Sequence, residues 1–370
     1  MLDFSSALYL GFRHESWSLQ PWSSLTKGKP AALSAPDGEQ ATAQRLVELQ
    51  GCEDGLLAPT TLHLFWDLFG ILSKYNLAIY VDAGAYPIAR WCVIRAAANG
   101  IPVQSFPHHD AYMLQQRLRH DIPHNARPVI VFDGFCPGCG KLAPVSEYLE
   151  IARTFGGYLV IDDTQALGIL GHSPDHIHPY GIGGGGSLRW SSIQGPEILI
   201  VSSLSKGFGV PVAVLASSKS IVSFFKVNSG TRVHCSPPSV AVINAAWRAL
   251  GINSKCGDSI RSRLLKLVRR FRAKLANSRL SATGWLFPVQ TIRIPYRHDP
   301  ELIHHELLKA GIQTVLRHSP VDHKLLVSFI ITALHNYSDI DYVANILIQV
   351  MEQFSSKHYE TDVSLKERKP

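Results

Sequence analysis

Lys206 stands in Ser202-Ser203-Leu204-Ser205-Lys206-Gly207-Phe208-Gly209, directly after the apolar residues Ile198, Leu199, Ile200 and Val201. A short β-branched run ended by a Ser/Gly turn reads as a buried strand opening into a loop. An amine at that mouth, beside hydroxyls and glycines, is placed to form a Schiff base with a carbonyl. About forty residues upstream, a second apolar run at 158–161 ends in Asp162-Asp163-Thr164-Gln165. A lysine at one strand end and a carboxylate at another suit pyridoxal phosphate (PLP). The amine holds the aldehyde, and the carboxylate keeps the pyridine nitrogen protonated so that the ring serves as an electron sink. A lone lysine after a strand is most often merely solvated. Its pairing with Asp162 sets Lys206 apart.

Those two strand ends must be held by a regular scaffold, and the chain reads as one. Apolar runs at 77–81, 103–106, 129–132, 158–161, 198–201 and 212–216 predict strands. Helical spacing covers 40–49, 61–72, 87–98, 111–119 and 145–154. Such alternation predicts an α/β fold, a mostly parallel sheet sandwiched by helices. After Pro237-Pro238 the pattern changes to helices at 239–250, 259–275, 300–310 and 340–354, with strands at 289–294 and 326–331. At 370 residues the chain is long for one core. The expected organisation is an N-terminal arm over 1–40, a large domain over 41–255, and a connecting helix with a small α+β domain over 256–370. The arm lacks any sustained period and is expected to dock on a neighbour.

Charge and cysteine usage narrow the partners. The formal charge of +7 favours anionic ligands. Yet Lys and Arg are dense only over 261–274, the wet face of a helix, and in the tail 366–369. No basic stripe interleaved with aromatics is present, which argues against nucleic acid. No leader pattern and no run of about 18 apolar residues occurs, so a cytoplasmic protein with no membrane partner is expected. Six cysteines fit reduced thiols in that compartment. The single Cys-x-x-Cys, Cys136-Pro137-Gly138-Cys139, lacks a second Cys or His pair at zinc-site spacing. It is expected to be a tight Pro-Gly loop, with no metal. His172, His176 and His178 read as a solvated loop. The glycines at 183–186 are not a phosphate cradle, because no Lys-Ser/Thr helix follows.

In this order and spacing the motifs resemble the α-oxoamine synthases, PLP-dependent enzymes of the aspartate aminotransferase fold. Tyr9-Leu10-Gly11, Ala143-Pro144, Asp162-Asp163 with Gly168-Ile169-Leu170-Gly171, Leu204-Ser205-Lys206-Gly207-Phe208-Gly209, and Thr332-Ala333-Leu334-His335 followed by Asp339-Ile340-Asp341 carry the likeness. It implies Lys206 as the Schiff-base lysine, Asp162 as partner of the pyridine nitrogen, and Ser203 as a phosphate ligand. Thr60 and Thr61, ahead of a helix, fall at the family's other phosphate site, where hydroxyls and open N–H groups suit a dianion. An ordinary helix N-cap accounts for them equally well. Tyr86 falls where a family histidine stacks on the ring, and Gln165 where another contacts the phenolic oxygen. The family's habit implies a homodimer.

The substrate side departs from the pattern. Ser328 falls where the family's arginine grips the amino-acid carboxylate, and a hydroxyl cannot imitate a bidentate guanidinium. Arg317 or Lys324 is the candidate replacement. The loop after Asp133 loses its family serine at Pro137. The resemblance thus implies a C-acyltransferase joining an acyl-CoA or another acyl thioester to an amino acid. An aminotransferase or decarboxylase on the same fold, or a non-catalytic homologue, remain open readings.

Overall fold

The computed structural model describes residues 1–295, 298–319 and 324–366, with side chains to 354 in the last helix. The basic tail beyond 366 lies outside the described residues. The chain divides into two compact units. One comprises Leu10–Cys136 with Leu142–Ser259; the other comprises Met1–Tyr9, Pro137–Lys141 and Ile260–Pro370.

The larger unit is built on a seven-stranded sheet. Its strands are β1 (Asp54–Ala58), β2 (Leu77–Asp82), β3 (Val103–Phe106), β4 (Arg127–Asp133), β5 (Tyr158–Asp162), β6 (Ile198–Ser203) and β7 (Ala213–Ser217), in the order β1-β7-β6-β5-β4-β2-β3. Six match runs read from the sequence. The missed one, β1, is Asp-Gly-Leu-Leu-Ala, which carries no β-branched residue. It is held by pairing with β7 from Ala213 opposite Ala58 to Ser217 opposite Asp54. Gly55 is required there, because a Cβ would meet Val47 Cγ2 at 2.5 Å and the Leu215 carbonyl at 2.6 Å. β7 alone runs antiparallel to its neighbours. Only residues 204–212 join it to β6, too few for a parallel crossover, which takes a dozen or more.

Successive side chains along the central strands feed two separate cores. Ile79, Val81, Val129, Val131, Leu199 and Val201 pack with α2 (Thr61–Leu72), α3 (Pro87–Ala98) and a helix at Lys219–Asn228. Ala78, Tyr80, Ile130, Phe132, Ile198 and Ile200 face the other way, toward Leu114 and Leu118 of Ala111–Asp121 and Tyr148 and Leu149 of Val145–Thr154. A sheet covered on both faces needs continuous apolar strands rather than alternating ones, and that is how these strands read. The parallel strands end together at one edge, placing Asp82, Asp133, Asp162 and Ser203 side by side.

The smaller unit holds a four-stranded antiparallel sheet, in the order Ala282–Thr283, Val289–Ile292, Leu325–Ile330, Val315–His318, with helices Pro300–Lys309 and Tyr337–Lys366. The first residues of the chain belong to this unit. Leu2–Asp3 pairs in parallel with Ile312–Gln313, Phe4 stacks on His335 at 4.1 Å, and Tyr9 meets Phe287 edge-on. The expected arm therefore begins as a packed segment of its own chain. A single helix, Val240–Asn277, replaces the two expected at 239–250 and 259–275. The intervening Gly251 costs only about 1 kcal/mol in a helix, less than the packing on either side of it provides. Among the described residues, no helix is long and apolar enough to cross a membrane.

Candidate active site

The loop between β6 and β7 folds tightly, and this fixes Lys206. The Leu204 N–H donates to the Val212 carbonyl at 2.8 Å, and the Val210 N–H to that of Leu204 at 3.1 Å. Gly207 lies against the loop at 167–168 so closely that a Cβ would meet the Leu167 carbonyl at 2.5 Å. Lys206 is half-buried. Its Nζ sits 5.6 Å from the centre of the Tyr86 ring. Loss of water around the amine lowers its pKa below the usual lysine value, against the opposing pull of Asp162 and Asp133.

Two carboxylates face that amine from adjacent strand ends. Asp133 and Asp162 are register partners on β4 and β5. Burial raises the pKa of Asp162, while hydrogen bonds from Thr164 and the charge of Lys206 oppose the rise. The Thr164 N–H donates to Asp162 Oδ1 at 3.0 Å. Burial raises Asp133 much further, and neighbouring Asp162 adds to it; the Tyr86 N–H, donating to Asp133 Oδ1 at 3.0 Å, offsets only part. Two like charges side by side in a dry site do not both ionise. Asp133 is thus the member that holds the proton, and Asp162 is the anion beside Lys206.

These groups surround a cavity of about 200 Å³. Of the sequence-predicted residues, Thr61, Tyr86, Asp162, Gln165, Ser203 and Lys206 line it. Thr60 does not; its hydroxyl pairs with His63 Nδ1 at 2.9 Å, leaving the first turn of α2 without a side-chain cap. Ser203 is tied in twice, its N–H to Thr164 Oγ1 at 3.0 Å and its Oγ to Ser205 Oγ at 2.8 Å. Tyr86 is the N-cap of α3, ahead of Pro87, and its half-exposed ring forms the open wall. The structure adds Asp133, Thr164, Ser205 and Ile88 to the lining. Asp133 could have been found from sequence, because it ends a predicted strand just as Asp162 does. A larger cavity of about 540 Å³ lies at the opposite ends of the strands, around Leu77, Tyr158 and Phe224. It is apolar and lacks a cluster of titratable groups, so the chemistry belongs to the smaller one.

The two predicted substrate residues lie in the other unit, where they share a neighbour. Ser328 and Thr291 are both buried, with their hydroxyl oxygens 2.8 Å apart. Arg317 Nη2 donates to the same Thr291 hydroxyl at 3.4 Å. The hydroxyl that falls at the arginine position is therefore engaged inside its own sheet.

Asp163 sets a pH limit on the fold. Its side chain is wholly buried and accepts the Ser187 N–H at 3.0 Å, and burial pushes its carboxyl up to about 7. A folded-state pKa above the unfolded value means that the native state binds this proton more tightly. The associated stability is fully present below about pH 4 and is lost as pH rises toward 7. Asp163→Asn keeps an acceptor without the charge. It is expected to gain on the order of a few kcal/mol over wild type at pH 8, and little at pH 4, in denaturant unfolding. Equal gains at both pH values would show that ionisation of Asp163 is not the cause.

Comparison with known proteins accords with this geometry. The sequence profile of the family "Aminotransferase class I and II" matches residues 78–302. The 8-amino-7-oxononanoate synthase of Burkholderia mallei (strain SAVP1) is 32% identical over 186 residues, which is 50% of this chain and 42% of that protein. The match thus spans about two fifths of the length of the curated relatives. Among solved structures, a serine palmitoyltransferase from S. paucimobilis with bound PLP–myriocin aldimine superposes with a TM-score of 0.82 at 16% identity, covering 96% of this chain and 88% of that one. An 8-amino-7-oxononanoate synthase from Francisella tularensis gives 0.74 at 15% identity, covering 95% and 98%. These structures share the fold of this protein, with its mostly parallel sheet between helices. With well over half of its length matched by the family profile, the chain belongs to the aminotransferase class I and II family.

Proposed function

We propose that this protein is a PLP-dependent transferase of the α-oxoamine synthase kind, joining an acyl thioester to an amino acid. The observation that carries the reading is the trio of Lys206, Asp162 and Asp133 around one small cavity with hydroxyls on its wall. The relatives and structural neighbours named above support the same class. The donor set fits PLP: an amine with a lowered pKa for the aldehyde, an anionic carboxylate for the ring nitrogen, an aromatic face, and hydroxyls beside an uncapped helix start for the phosphate. When bound, PLP supplies an electron sink that stabilises negative charge on the substrate α-carbon.

The chain's own groups do the rest. Lys206 would hold the cofactor's aldehyde, and its Nζ is the base placed to take the substrate α-proton. Asp162 would pair with the ring nitrogen, and Asp133 keeps its proton and anchors the Tyr86 backbone. Ser203, Thr61 and Ser205 would hold the phosphate, and Gln165 the phenolic oxygen. In the overall reaction a C–C bond forms between the α-carbon and the acyl carbon while the thioester C–S bond breaks and the thiol leaves. A homodimer belongs to this reading, supported by exposed Leu62 and Trp66 on α2 and Trp91 and Ile94 on α3.

The test is release of free thiol from acyl-CoA by the PLP-loaded protein, dependent on an added amino acid. Arg317→Ala is expected to raise the amino-acid concentration for half-saturation about tenfold or more while bound PLP is retained, as loss of a charge-assisted carboxylate contact requires. Conversion of bound PLP to pyridoxamine phosphate by amino acid alone would instead make the protein an aminotransferase. Absence of both reactions would leave a binding homologue.

A further inference from the structure

The central sheet places its titratable cluster at one end of the parallel strands and an apolar cavity at the other. That cavity, of about 540 Å³, lies wholly within the larger unit. Its floor is made by Leu77, Val129, Val160 and Leu199, near the starts of β2, β4, β5 and β6. These four strands are neighbours in the sheet, so the floor crosses three inter-strand gaps. At about 4.8 Å each, the gaps make it roughly 14 Å long. The end of α2, with Leu72, and the helix Lys219–Asn228, with Ile221 and Phe225, close it from above. Close-packed cores seldom keep so large a space. A mostly apolar hollow of about 300–1,000 Å³ with a few placed polar groups is the usual form of a small-molecule site.

The rim says what kind of molecule fits. Tyr75 and Phe224 meet edge-on at 5.8 Å and are 48% and 43% exposed, so apolar ring surface flanks the opening. Arg127 is the one charged group on the wall among the described residues, and it is exposed. Its Nε donates to the Gly156 carbonyl, and its guanidinium carbon lies 4.5 Å from the centre of the Tyr158 ring. Neither Nη group has a partner among the described residues. A guanidinium stacked on a ring and fixed through Nε keeps its Nη fork for a carboxylate.

A long apolar floor with one cation at its mouth selects against other ligands. A polyanion such as a nucleotide would meet a single positive charge and a wall that offers its remaining polar groups no partners, which is costly. A linear chain with one anionic end matches both features.

We propose that this cavity binds an unesterified straight-chain fatty carboxylate, with the alkyl chain along the floor and the carboxylate on the Arg127 Nη groups. The site is at the opposite strand ends from Lys206. The proposal therefore does not depend on PLP, and its failure would leave the proposed function untouched.

The test uses the full chain and isothermal titration with sodium octanoate, decanoate and dodecanoate, each below its micelle-forming concentration. One site per chain is expected, with affinity rising about three- to fourfold per added methylene. The heat-capacity change should be negative, as burial of apolar surface requires. Dodecanol should bind at least about tenfold more weakly than dodecanoate, because it lacks the charge-assisted contact. Arg127→Met should weaken dodecanoate by about the same factor and leave dodecanol unchanged. Ile221→Trp, at a half-buried position, should fill the space and abolish binding of both. If that variant does not fold, the chain series and Arg127→Met decide the matter without it. Equal affinity across the three chain lengths overturns the proposal, and so does unaltered dodecanoate affinity in Arg127→Met. Displacement of dodecanoate by added PLP overturns it too, because the chain would then occupy the cavity of Lys206.

Discussion

Lys206→Ala is expected to purify without covalently held PLP and to lose turnover by about 10²- to 10⁴-fold, the usual contribution of a positioned base. The loss follows from placement. Among the described residues no other lysine lines the cavity, and the amine there is already stripped of water and drawn toward Asp162. Borohydride treatment of PLP-loaded wild type should fix the cofactor to the peptide containing Lys206, readable by mass. The variant should yield no such peptide while keeping its far-ultraviolet circular dichroism. A fixed adduct on another lysine, or a yellow Lys206→Ala protein, would overturn the assignment.

The second large effect is expected at Asp162. Asp162→Asn removes the anion while keeping the size, and turnover should fall by at least about 10²-fold, comparable to removing a preorganised electrostatic contact. PLP should still attach to Lys206, because that amine is placed by its own loop. Asp133→Asn provides the contrast. Burial and the Asp162 charge already keep Asp133 protonated, so replacing it with a neutral amide should change turnover less than about tenfold. Equal losses in the two variants would show that the proton is shared rather than resident on Asp133.

Much of this site was legible along the chain because its information is local. A short apolar run followed by Ser, Gly or Asp declares both a strand and the end of it. β5 and β6 therefore announced Asp162, Gln165, Ser203 and Lys206 together with their positions at one sheet edge. Thr61 stands ahead of a predicted helix, whereas Tyr86 is picked out by the family resemblance alone. Asp133 carries the same signal at the end of β4, but no family motif points to it. Strand β1 carried no signal at all. Its five residues are held by β7 and by a glycine that only the Val47 contact explains. The continuous helix over Val240–Asn277 likewise defeated the local reading, because one glycine weakens a helix less than the surrounding packing supports it.

By itself, then, the sequence determined the parallel α/β plan, the strand ends, and the pairing of a lysine with a carboxylate. Each of these is written in residue order within a few positions. The tertiary structure alone decided which carboxylate is charged, because that depends on Asp133 and Asp162 being neighbours across a sheet register. It alone placed Ser328 against Thr291 and Arg317, across strands distant in sequence. And it alone gathered Leu77, Val129, Val160 and Leu199 into the floor of one cavity, since their strands are adjacent in the sheet although distant along the chain.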